Sequence, residues 1–423
     1  MTQRYDTYKD SGVQWLGEIP GHWECVRMKY LVSFINGYAF DSKNFLNEGE
    51  VAVYRISDIQ NDCISTDNCV YVSHDDKFSD FEIQDNDLLI AMSGATTGKT
   101  GLVSGQRGYI NQRVGIIRSN YIHYIKYGLR MLMFLDYIVL LAEGSAQPNI
   151  SANGICQYRL PLPPLSEQRS IVSFLDAKCG KIDEWVTKKQ KEVEHLQELK
   201  QRVIADAVTR GLNPHVKMKA TNIPWLKEIP GHWEIYRYGT LFKLKPVKQH
   251  HGEELLSVFL HFGVIRAAES EKRTHAASED LSKYQLVEET DFVMNNQQAW
   301  RGSVGVSKLV GIISPAYHIF KMPNCMFPDY ANYLLRSKCM VSQFEMSSRG
   351  VGSIQRTLNF NWLNNKIVPV PPLSEQKQIV PYLDAKCSKI DKLIANVTKE
   401  IECIKEYKQR LISDVVTGQI KVC

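Results

Sequence analysis

The sequence predicts an α+β fold in which two mixed α/β domains are separated by two long helices that form an antiparallel coiled coil. The main observation is a pseudo-two-fold internal repeat: PLPPLSEQRSIVSFLDAKCGKID at residues 161–183 returns as PVPPLSEQKQIVPYLDAKCSKID at residues 369–391. WLGEIPGHWE at residues 15–24 likewise returns as WLKEIPGHWE at residues 225–234. The third observation is the amphipathic helical pattern that follows each copy of the first motif.

The repeat sets the predicted domain boundaries. Its period is far longer than the roughly 20–50 residues of solenoid and propeller repeats, so each copy is a whole domain with a connector. We predict a first globular domain at residues 1–160 and a central long connector helix at residues 161–213. A second globular domain follows at residues 214–368, and a distal long helix at residues 369–423 pairs with the central one.

Each copy of PPLSEQ opens a helix, at residues 165–209 and 373–416, because prolines fit before the first turn and Ser166 and Ser374 are good N-caps. Apolar residues then recur at alternating spacings of three and four, interrupted by Lys178 and Lys200 in one helix and by Lys386 and Lys408 in the other. One such helix cannot bury its stripe alone, so we predict that it pairs with its copy; a homodimer through the helices is the alternative. The predicted seam residues are Ile171, Leu175, Ile182, Val186, Val193, Leu196, Val203, Ile379, Leu383, Ile390, Leu393, Val397, Ile401, Ile404, Leu411 and Val415.

The regions between the repeated motifs diverge while keeping a skeleton. Residues 87–105 align with residues 291–309 through an aspartate, an alanine and two glycines, which predicts a short apolar strand and then a Gly-rich turn. Helices are predicted at residues 122–141 and 328–344, and the apolar run at residues 131–142 reads as a buried helix too short to span a membrane. Frequent short strands broken by Gly, Asn and Asp predict a mixed, largely antiparallel sheet in each domain.

Composition indicates a globular cytoplasmic protein. Of 423 residues, 44% are hydrophobic and 23% are charged, and the first residues lack the apolar core of a signal peptide. Ten cysteines occur without a CxxC pair, which predicts reduced thiols and no metal site. The net charge of +5 permits nucleic-acid binding without arguing for it.

No catalytic motif stands out in the sequence. GATTGKT at residues 94–100 resembles a phosphate-binding loop, but that loop needs four residues between its glycines and this segment has three. The aligned residues 299–305 have no Lys-Thr pair. A glycine-rich cofactor motif, HExxH and GxSxG are also missing from the sequence. A nucleotide hydrolase that uses residues 94–100 is therefore a minor alternative.

The duplicated motifs occur in the same order in both halves of the chain, and in this combination the sequence resembles the specificity subunit of type I restriction-modification systems. The resemblance rests on the two EIPGHWE segments, SGATTGKTG, SAQPNIS, GIISPAY and the two PPLSEQ helices, and it covers essentially the whole chain. It implies a non-catalytic DNA-binding subunit whose two target-recognition domains each read one half of a bipartite site, while the helices set the spacer. It also implies two modification (methyltransferase) subunits and restriction (motor-nuclease) subunits as partners. S-adenosylmethionine, ATP and Mg²⁺ would be bound by those partners, and none of them by this chain.

Polar residues near the aligned loops are the predicted DNA contacts, because amide, guanidinium and hydroxyl groups read base edges and cations bind phosphates. In the first half they are Ser93, Thr96, Thr97, Lys99, Arg107, Gln112, Arg113, Gln147 and Asn149. In the second half they are Asn296, Gln297, Gln298, Arg301, Lys308, Gln355 and Arg356. Two alternatives stay open: a scaffold that joins partner subunits without binding DNA, and a DNA reader in a related defence system with a different effector.

Overall fold

A computed structural model describes residues 4–60, 62–142, 149–246, 253–260, 262–269, 283–350 and 356–422. The chain divides into two compact units, each of which contains parts of both long helices. The first unit comprises Met1–Gln190 and Lys399–Cys423, and the second unit comprises Lys191–Thr398.

The first domain is built from thirteen described strands and three short helices. Strands β1 to β13 are Tyr8–Asp10, Glu18–Pro20, Glu24–Arg27, Ser33–Asn36, Val51–Tyr54, Ile59–Gln60, Cys63–Ile64, Val70–Val72, Leu88–Ala91, Thr100–Leu102, Tyr109–Ile110, Val114–Arg118 and Arg159–Leu162. Helices α1 to α3 are Ile122–Gly128, Leu132–Ala142 and Ala152–Gln157, and the long helix α4 follows at Leu165–Arg210.

A four-stranded antiparallel sheet in the order β10-β9-β12-β4 forms the centre of the first domain. Every residue of the central strand β9 is buried, as expected for a strand covered on both faces. A second sheet, β11-β5-β8, contains one parallel pairing, between β11 and β5. The sheets are therefore mixed and largely antiparallel, as the sequence predicts.

The second unit repeats this framework with different lengths. Strands β14 to β27 are Met218–Ile223, Leu226–Pro230, Glu234–Arg237, Lys243–Leu244, Leu256–Phe259, Gly263–Arg266, Gln285–Val287, Phe292–Asn295, Val304–Val306, Gly311–Ile313, Tyr317–Lys321, Ser348–Arg349, Thr357–Leu358 and Ile367–Val370. Helices α5 to α9 are Tyr238–Leu241, Pro328–Arg336, Lys338–Met346, Phe360–Leu363 and Leu373–Val416. The sheet order β22-β21-β24-β17 is the order found in the first domain.

The two long helices pair antiparallel in both units. In the first unit Lys408 of α9 contacts Asp183 of α4, and in the second unit Lys200 of α4 contacts Asp391 of α9. Residues that alternate at spacings of three and four face the partner helix in α9: Cys387, Ile390, Ile394, Val397, Ile401, Ile404, Lys408, Leu411 and Val415 are buried or half-buried. This is the heptad geometry of a coiled coil, and the predicted fold class is confirmed.

Three details of the helix prediction are wrong. Leu393 is half exposed and Ile394 lies in the seam instead, because the seven-residue repeat continues in phase from Cys387. Cys179 and Cys387 are buried where a seam lysine was predicted, and Lys178 and Lys386 lie exposed beside them. The helices begin at Leu165 and Leu373, so Ser166 and Ser374 lie inside the first turn rather than at the N-cap.

Two predictions for the shorter helices are also corrected. The helix predicted at residues 122–141 is divided into α1 and α2, and the helix predicted at residues 328–344 is divided into α6 and α7. Between α6 and α7 the backbone of Ser337 is extended, and its side chain caps α7. The apolar run at residues 131–142 is not a buried helix. Phe134 and Ile138 are buried, but large apolar side chains on its other faces are exposed, among them Leu132, Leu135, Val139, Leu140 and Leu141.

The duplicated motifs contact each other at the start of each long helix. In the first unit Glu167 accepts a hydrogen bond from the Trp23 indole N–H at 2.9 Å and pairs with His22 at 2.6 Å. In the second unit Glu375 makes the same contacts with Trp233 at 2.9 Å and His232 at 2.8 Å. GHWE and LSEQ are thus both duplicated because they contact each other. The same contact in both units anchors each domain to the first turn of the long helix that follows it.

A second anchor joins each domain to the end of the other long helix. The buried Tyr124 hydroxyl donates to the Val416 carbonyl of α9 at 3.2 Å. In the second unit the Tyr330 hydroxyl donates to the Val208 carbonyl of α4 at 3.3 Å. Each domain is therefore held by the beginning of one long helix and the end of the other, within its own unit.

Candidate nucleic-acid interface

The Gly-rich turn of the first domain connects two antiparallel strands. Gly94 and Gly98 have positive φ angles, and the Thr97 hydroxyl donates to the Gly94 carbonyl at 2.7 Å. Strand β9 enters this turn and β10 leaves it, whereas a phosphate-binding loop leads from a strand into a helix. The turn is therefore a hairpin connection, and it lacks the geometry of a nucleotide site.

Thr97 and Lys99 face the long helices across a cleft of about 850 Å³ in the first unit. The other cations that line this cleft are Arg130, Lys405, Lys408 and Arg410. Arg130 forms an ion pair with Asp62, and the oxygen of Thr96 is buried without a hydrogen-bond partner among the described residues. Thr96 is thus not presented as a surface donor, in contrast to the prediction.

Three predicted DNA contacts of the first domain lie together at a different place. Gln112, Arg113 and Asn149 line a pocket of about 560 Å³, and an Arg113 guanidinium nitrogen donates to the Asn149 side-chain oxygen at 3.2 Å. Ser93 is paired with Asn149 through a backbone bridge. All three lining side chains are exposed, and an arginine beside two amides offers both donors and acceptors to a base edge. Arg107 is exposed outside this group, and Gln147 lies outside the described residues.

In the second domain the predicted contacts surround a tryptophan that the sequence reasoning did not select. The guanidinium carbons of Arg301 and Arg356 lie 4.6 and 4.7 Å from the centre of the Trp300 ring. Arg356 also forms an ion pair with Glu345 at 3.3 Å. Stacking uses the face of a guanidinium and leaves N–H groups at its edge available for a ligand.

The remaining predicted residues of the second domain are arranged around the same turn. Gln297 is exposed, and its carbonyl accepts the Trp300 indole N–H at 3.0 Å. Asn296 and Gln298 are half-buried, and the Asn296 side-chain oxygen has no hydrogen-bond partner in the described part of the chain. Lys308 pairs with Asp329 at 2.9 Å. Gln355 lies outside the described residues.

The sequence reasoning missed three side chains that form contacts between a cation and an aromatic ring in the second domain. Trp300 is next to Arg301 in the sequence, and this Trp-Arg pair was the signal that could have identified it. Arg349 stacks over Trp362 at 4.3 Å, a contact between residues 13 positions apart that no local pattern announces.

The aligned aspartates of the two domains have a structural role. Asp87 is buried and receives two hydrogen bonds from Arg118, at 2.7 and 2.9 Å. In the second domain Asp291 pairs with Lys245 at 2.6 Å. Burial lowers the pKa of Lys245, but hydrogen bonds and charges from Asp291 and Glu288 outweigh burial and raise that pKa. These cations are committed to pairs within the fold and are not candidates for DNA contact.

Among the described residues no group of three or more His, Cys, Asp or Glu side chains is arranged to hold a metal ion. No helix in the described part of the chain is long and apolar enough to cross a membrane.

Comparison with known proteins supports the resemblance seen in the motifs. Residues 20–195 match the model of the type I restriction modification DNA specificity domain. The chain is 24% identical to the type I restriction enzyme MjaVIII specificity subunit of Methanocaldococcus jannaschii, over 96% of this chain and 94% of that protein. It is also 24% identical to the EcoBI specificity subunit of Escherichia coli, over 97% of this chain and 89% of that protein.

A solved structure has the same fold. A chain from a type I restriction-modification system matches with a TM-score of 0.65 and 16% sequence identity, over 94% of this chain and 98% of that chain. At this identity the likeness concerns the fold. Together with the sequence matches, it confirms the predicted resemblance.

Proposed function

We propose, for a chain that belongs to the family of type I restriction-modification specificity subunits, that each recognition domain reads one half of a bipartite DNA site. The observation that carries this proposal is the duplication of one framework around two different polar surfaces. The anchors at Glu167 and Glu375 are alike, whereas the Gly-rich turns of the two domains differ. The turn of the first domain carries Thr96 and Thr97 where the second carries Trp300 and Arg301. Two unlike half-sites suit two unlike surfaces on a common scaffold.

Base reading in the first half-site is assigned to the exposed group at Gln112, Arg113 and Asn149. Arginine donates two hydrogen bonds to guanine, and glutamine or asparagine pairs with adenine, in the major groove. In the second half-site the corresponding candidates are Gln297 and Arg301. Lysines near these groups would contact phosphates, which supply affinity but no sequence information.

The long helices are proposed to set the spacer between the half-sites. Both are continuous, over Leu165–Arg210 and Leu373–Val416, and each runs through parts of both units. A helix of about 45 residues is roughly 65–70 Å long. Its length would limit which separations of the half-sites the complex accepts, because half-sites must lie on a common face of the duplex.

The same helices are proposed to bind two methyltransferase subunits. Large apolar side chains are exposed on them at positions that repeat with the internal duplication: Trp185 and Leu199 of α4 correspond to Leu393 and Tyr407 of α9. All four hold the same heptad position beside the seam, and in an antiparallel coiled coil such positions of the two helices flank the same side. Exposed apolar side chains at regular positions are typical of a protein interface.

We further propose that the chain has no catalytic activity of its own and works in the cytoplasm, where it would meet double-stranded DNA. S-adenosylmethionine would be bound by the modification subunits, and ATP and Mg²⁺ by the restriction subunits. For the exchange of domains we propose four segments: two recognition domains at residues 1–160 and 214–368, and two long helices at residues 161–213 and 369–423.

DNA binding by the reconstituted complex tests this function. The complex of this chain with its methyltransferase subunits is expected to bind a target duplex selectively, with an affinity that falls steeply as salt rises. The methyltransferase subunits alone serve as the control and should lack this selectivity. Equal binding with and without this chain would reject the DNA-reading role and favour the scaffold. ATP turnover by the purified chain alone would instead support the nucleotide-hydrolase alternative.

A further inference from the structure

A basic cleft of about 1210 Å³ lies in the second unit, between the recognition domain and the segments of α4 and α9 that belong to that unit. The long helices contribute two of its cations, and the domain contributes the others. The six cations that line it are Lys200, Arg301, Lys308, Arg336, Lys338 and Lys392. No catalytic or base-reading role assigned above accounts for Arg336, Lys338 and Lys392.

The cleft carries an excess of positive charge after its internal pairs are counted. Three carboxylates line it, so the six cations leave three positive charges in excess. Two carboxylates are used in pairs, Asp329 with Lys308 at 2.9 Å and Asp391 with Lys200 at 2.7 Å. The third, Asp384, accepts a hydrogen bond from Tyr333 at 2.6 Å. The cleft therefore favours an anion.

Two lysines hold their charges at the surface of this cleft. Lys338 begins α7 and Lys392 lies on α9, and both are exposed. Within the described ranges neither forms an ion pair with a carboxylate. Their ammonium groups can therefore approach a ligand without first breaking a contact with the protein.

The protein walls of the cleft strengthen its electrostatic attraction for an anion. Arg336 is largely surrounded by protein, and burial lowers its pKa although the guanidinium stays charged. One of its nitrogens donates to the Leu260 carbonyl at 3.2 Å, which fixes the side chain. A cleft with cations on a low-dielectric wall concentrates its field on the entrance. Arg301, stacked on Trp300, holds a further guanidinium at the border.

The first unit has a weaker counterpart of this cleft. Its lining has five cations and three carboxylates, an excess of two. Arg130, which corresponds to Arg336 in the aligned helices, is neutralised by Asp62. The two clefts thus share a location within their units but differ in net charge.

We propose that the cleft of the second unit binds backbone phosphates of duplex DNA, with Lys338 and Lys392 as direct contacts. This inference rests on the proposed DNA-reading function and adds the long helix α9 to the DNA-contacting surface. Six cations spread over a cleft, four of them lysines that act as point charges, suit phosphates better than a base edge. The contact is therefore independent of the DNA sequence. An acidic segment of a partner protein would use the same charges, and the experiment distinguishes it.

The test measures the salt dependence of DNA binding by the complete complex with methyltransferase subunits. The double variant Lys338→Gln, Lys392→Gln is expected to reduce the slope of log affinity against log salt by about 2, since each phosphate contact contributes about 0.9. The reduction should be the same for target and non-target duplexes. Lys389→Gln is the matched control, because Lys389 is an exposed lysine of α9 that does not line the cleft. It should leave the slope unchanged.

The outcomes separate this inference from the proposed function. If the wild-type complex binds its target selectively but the double variant keeps the full slope, the cleft does not contact phosphates and the DNA-reading function stands. If size-exclusion chromatography shows that the double variant no longer assembles with its partner subunits, the ligand is an acidic protein segment and the inference is overturned. If the wild-type complex itself shows no selective binding, the proposed function fails first.

Discussion

Lys408 donates to both carboxylate oxygens of Asp183, at 2.7 and 2.8 Å, across the antiparallel helices of the first unit. Its counterpart 208 positions earlier, Lys200, donates to both oxygens of Asp391 at 2.7 Å in the second unit. The pairs are not equal, because Lys408 is buried and also lies 3.9 Å from Asp62, whereas Lys200 is half-buried. A lysine at a seam position costs stability but specifies the register in which two helices pair.

Charge reversal at Lys408 should destabilise the first unit. Lys408→Glu places a carboxylate beside Asp183 and Asp62, and we expect a loss of roughly 1–3 kcal/mol in the free energy of unfolding, below the cost of breaking a fully buried pair because Asp183 is exposed. Urea denaturation of the full chain measures it.

The compensating change and a control complete this experiment. Asp183→Lys added to Lys408→Glu should restore part of the lost stability, and the double-mutant cycle gives the interaction energy. Lys399→Glu, at an exposed position of the same helix, should change stability by less than about 0.5 kcal/mol. No recovery in the double variant would show that the pair does not stabilise the helix contact.

Glu167 should stabilise the first unit in a manner that depends on pH. Burial raises its pKa, but hydrogen bonds from His22, Trp23 and Tyr5 outweigh burial and lower the pKa below the value of about 4.5 expected in the unfolded chain. A lowered pKa in the folded state contributes stability above pH 4.5, and this contribution is lost as pH falls through the folded pKa.

Glu167→Gln should therefore cost about 1–2 kcal/mol at pH 7, since it removes charge-assisted hydrogen bonds, and less as pH falls below 4.5. Unfolding measured across this pH range provides the check, with the exposed Glu194→Gln as control. An equal loss at every pH would contradict the role of the ionised carboxylate.

Insertion into the long helices should change the spacer. Seven residues added within residues 192–197 of α4, with a matching insertion at residues 400–405 of α9, preserve the heptad phase and lengthen the helices by about 10 Å. At about 3.4 Å per base pair the tolerated spacer should grow by about three base pairs.

Mapping of methylated sites measures the spacer. The same seven residues inserted at residues 211–217, between α4 and β14, are the control and should leave it unchanged. A spacer that is identical in all variants would reject the helices as the determinant of half-site separation.

Loss of one base-reading side chain should relax the base specificity in one half of the target site. Arg113→Lys keeps the charge but loses the bidentate fork, and discrimination at one base should fall by about 1–3 kcal/mol. Methylation rates on targets with single base changes test this. Arg107→Lys, outside the pocket, is the matched control. A uniform loss of rate across all sequences would identify Arg113 as a phosphate contact instead.

Periodicity and duplication were sufficient to predict the long helices and the repeated framework. A heptad pattern over about 40 residues leaves few alternatives. The anchor residues of GHWE and LSEQ lie 144 positions apart in the first half and 142 in the second, so two similar anchors follow from the duplication. The exact seam was harder: adjacent Leu393 and Ile394 are both apolar, and only the phase of the whole repeat distinguishes them.

The surfaces were less accessible to sequence reasoning. The apolar run at residues 131–142 has the composition of a core helix, and nothing local indicates that Leu132 and Val139 are exposed. The stacking of Arg356 on Trp300 joins residues far apart in the chain, and no local pattern indicates such a contact. Thr97 and Arg113, both predicted DNA contacts of the first domain, line different pockets of the folded chain.

Exchange of one recognition domain, followed by mapping of modified bases, tests the central claim most directly. Residues 25–160 are replaced by the equivalent segment of another specificity subunit, and genomic DNA methylated by the complex is sequenced for modified adenines. We expect a bipartite motif in which one half changes while the other half and the gap stay the same. A contiguous motif, or a change in both halves, would contradict two independent readers joined by a common frame.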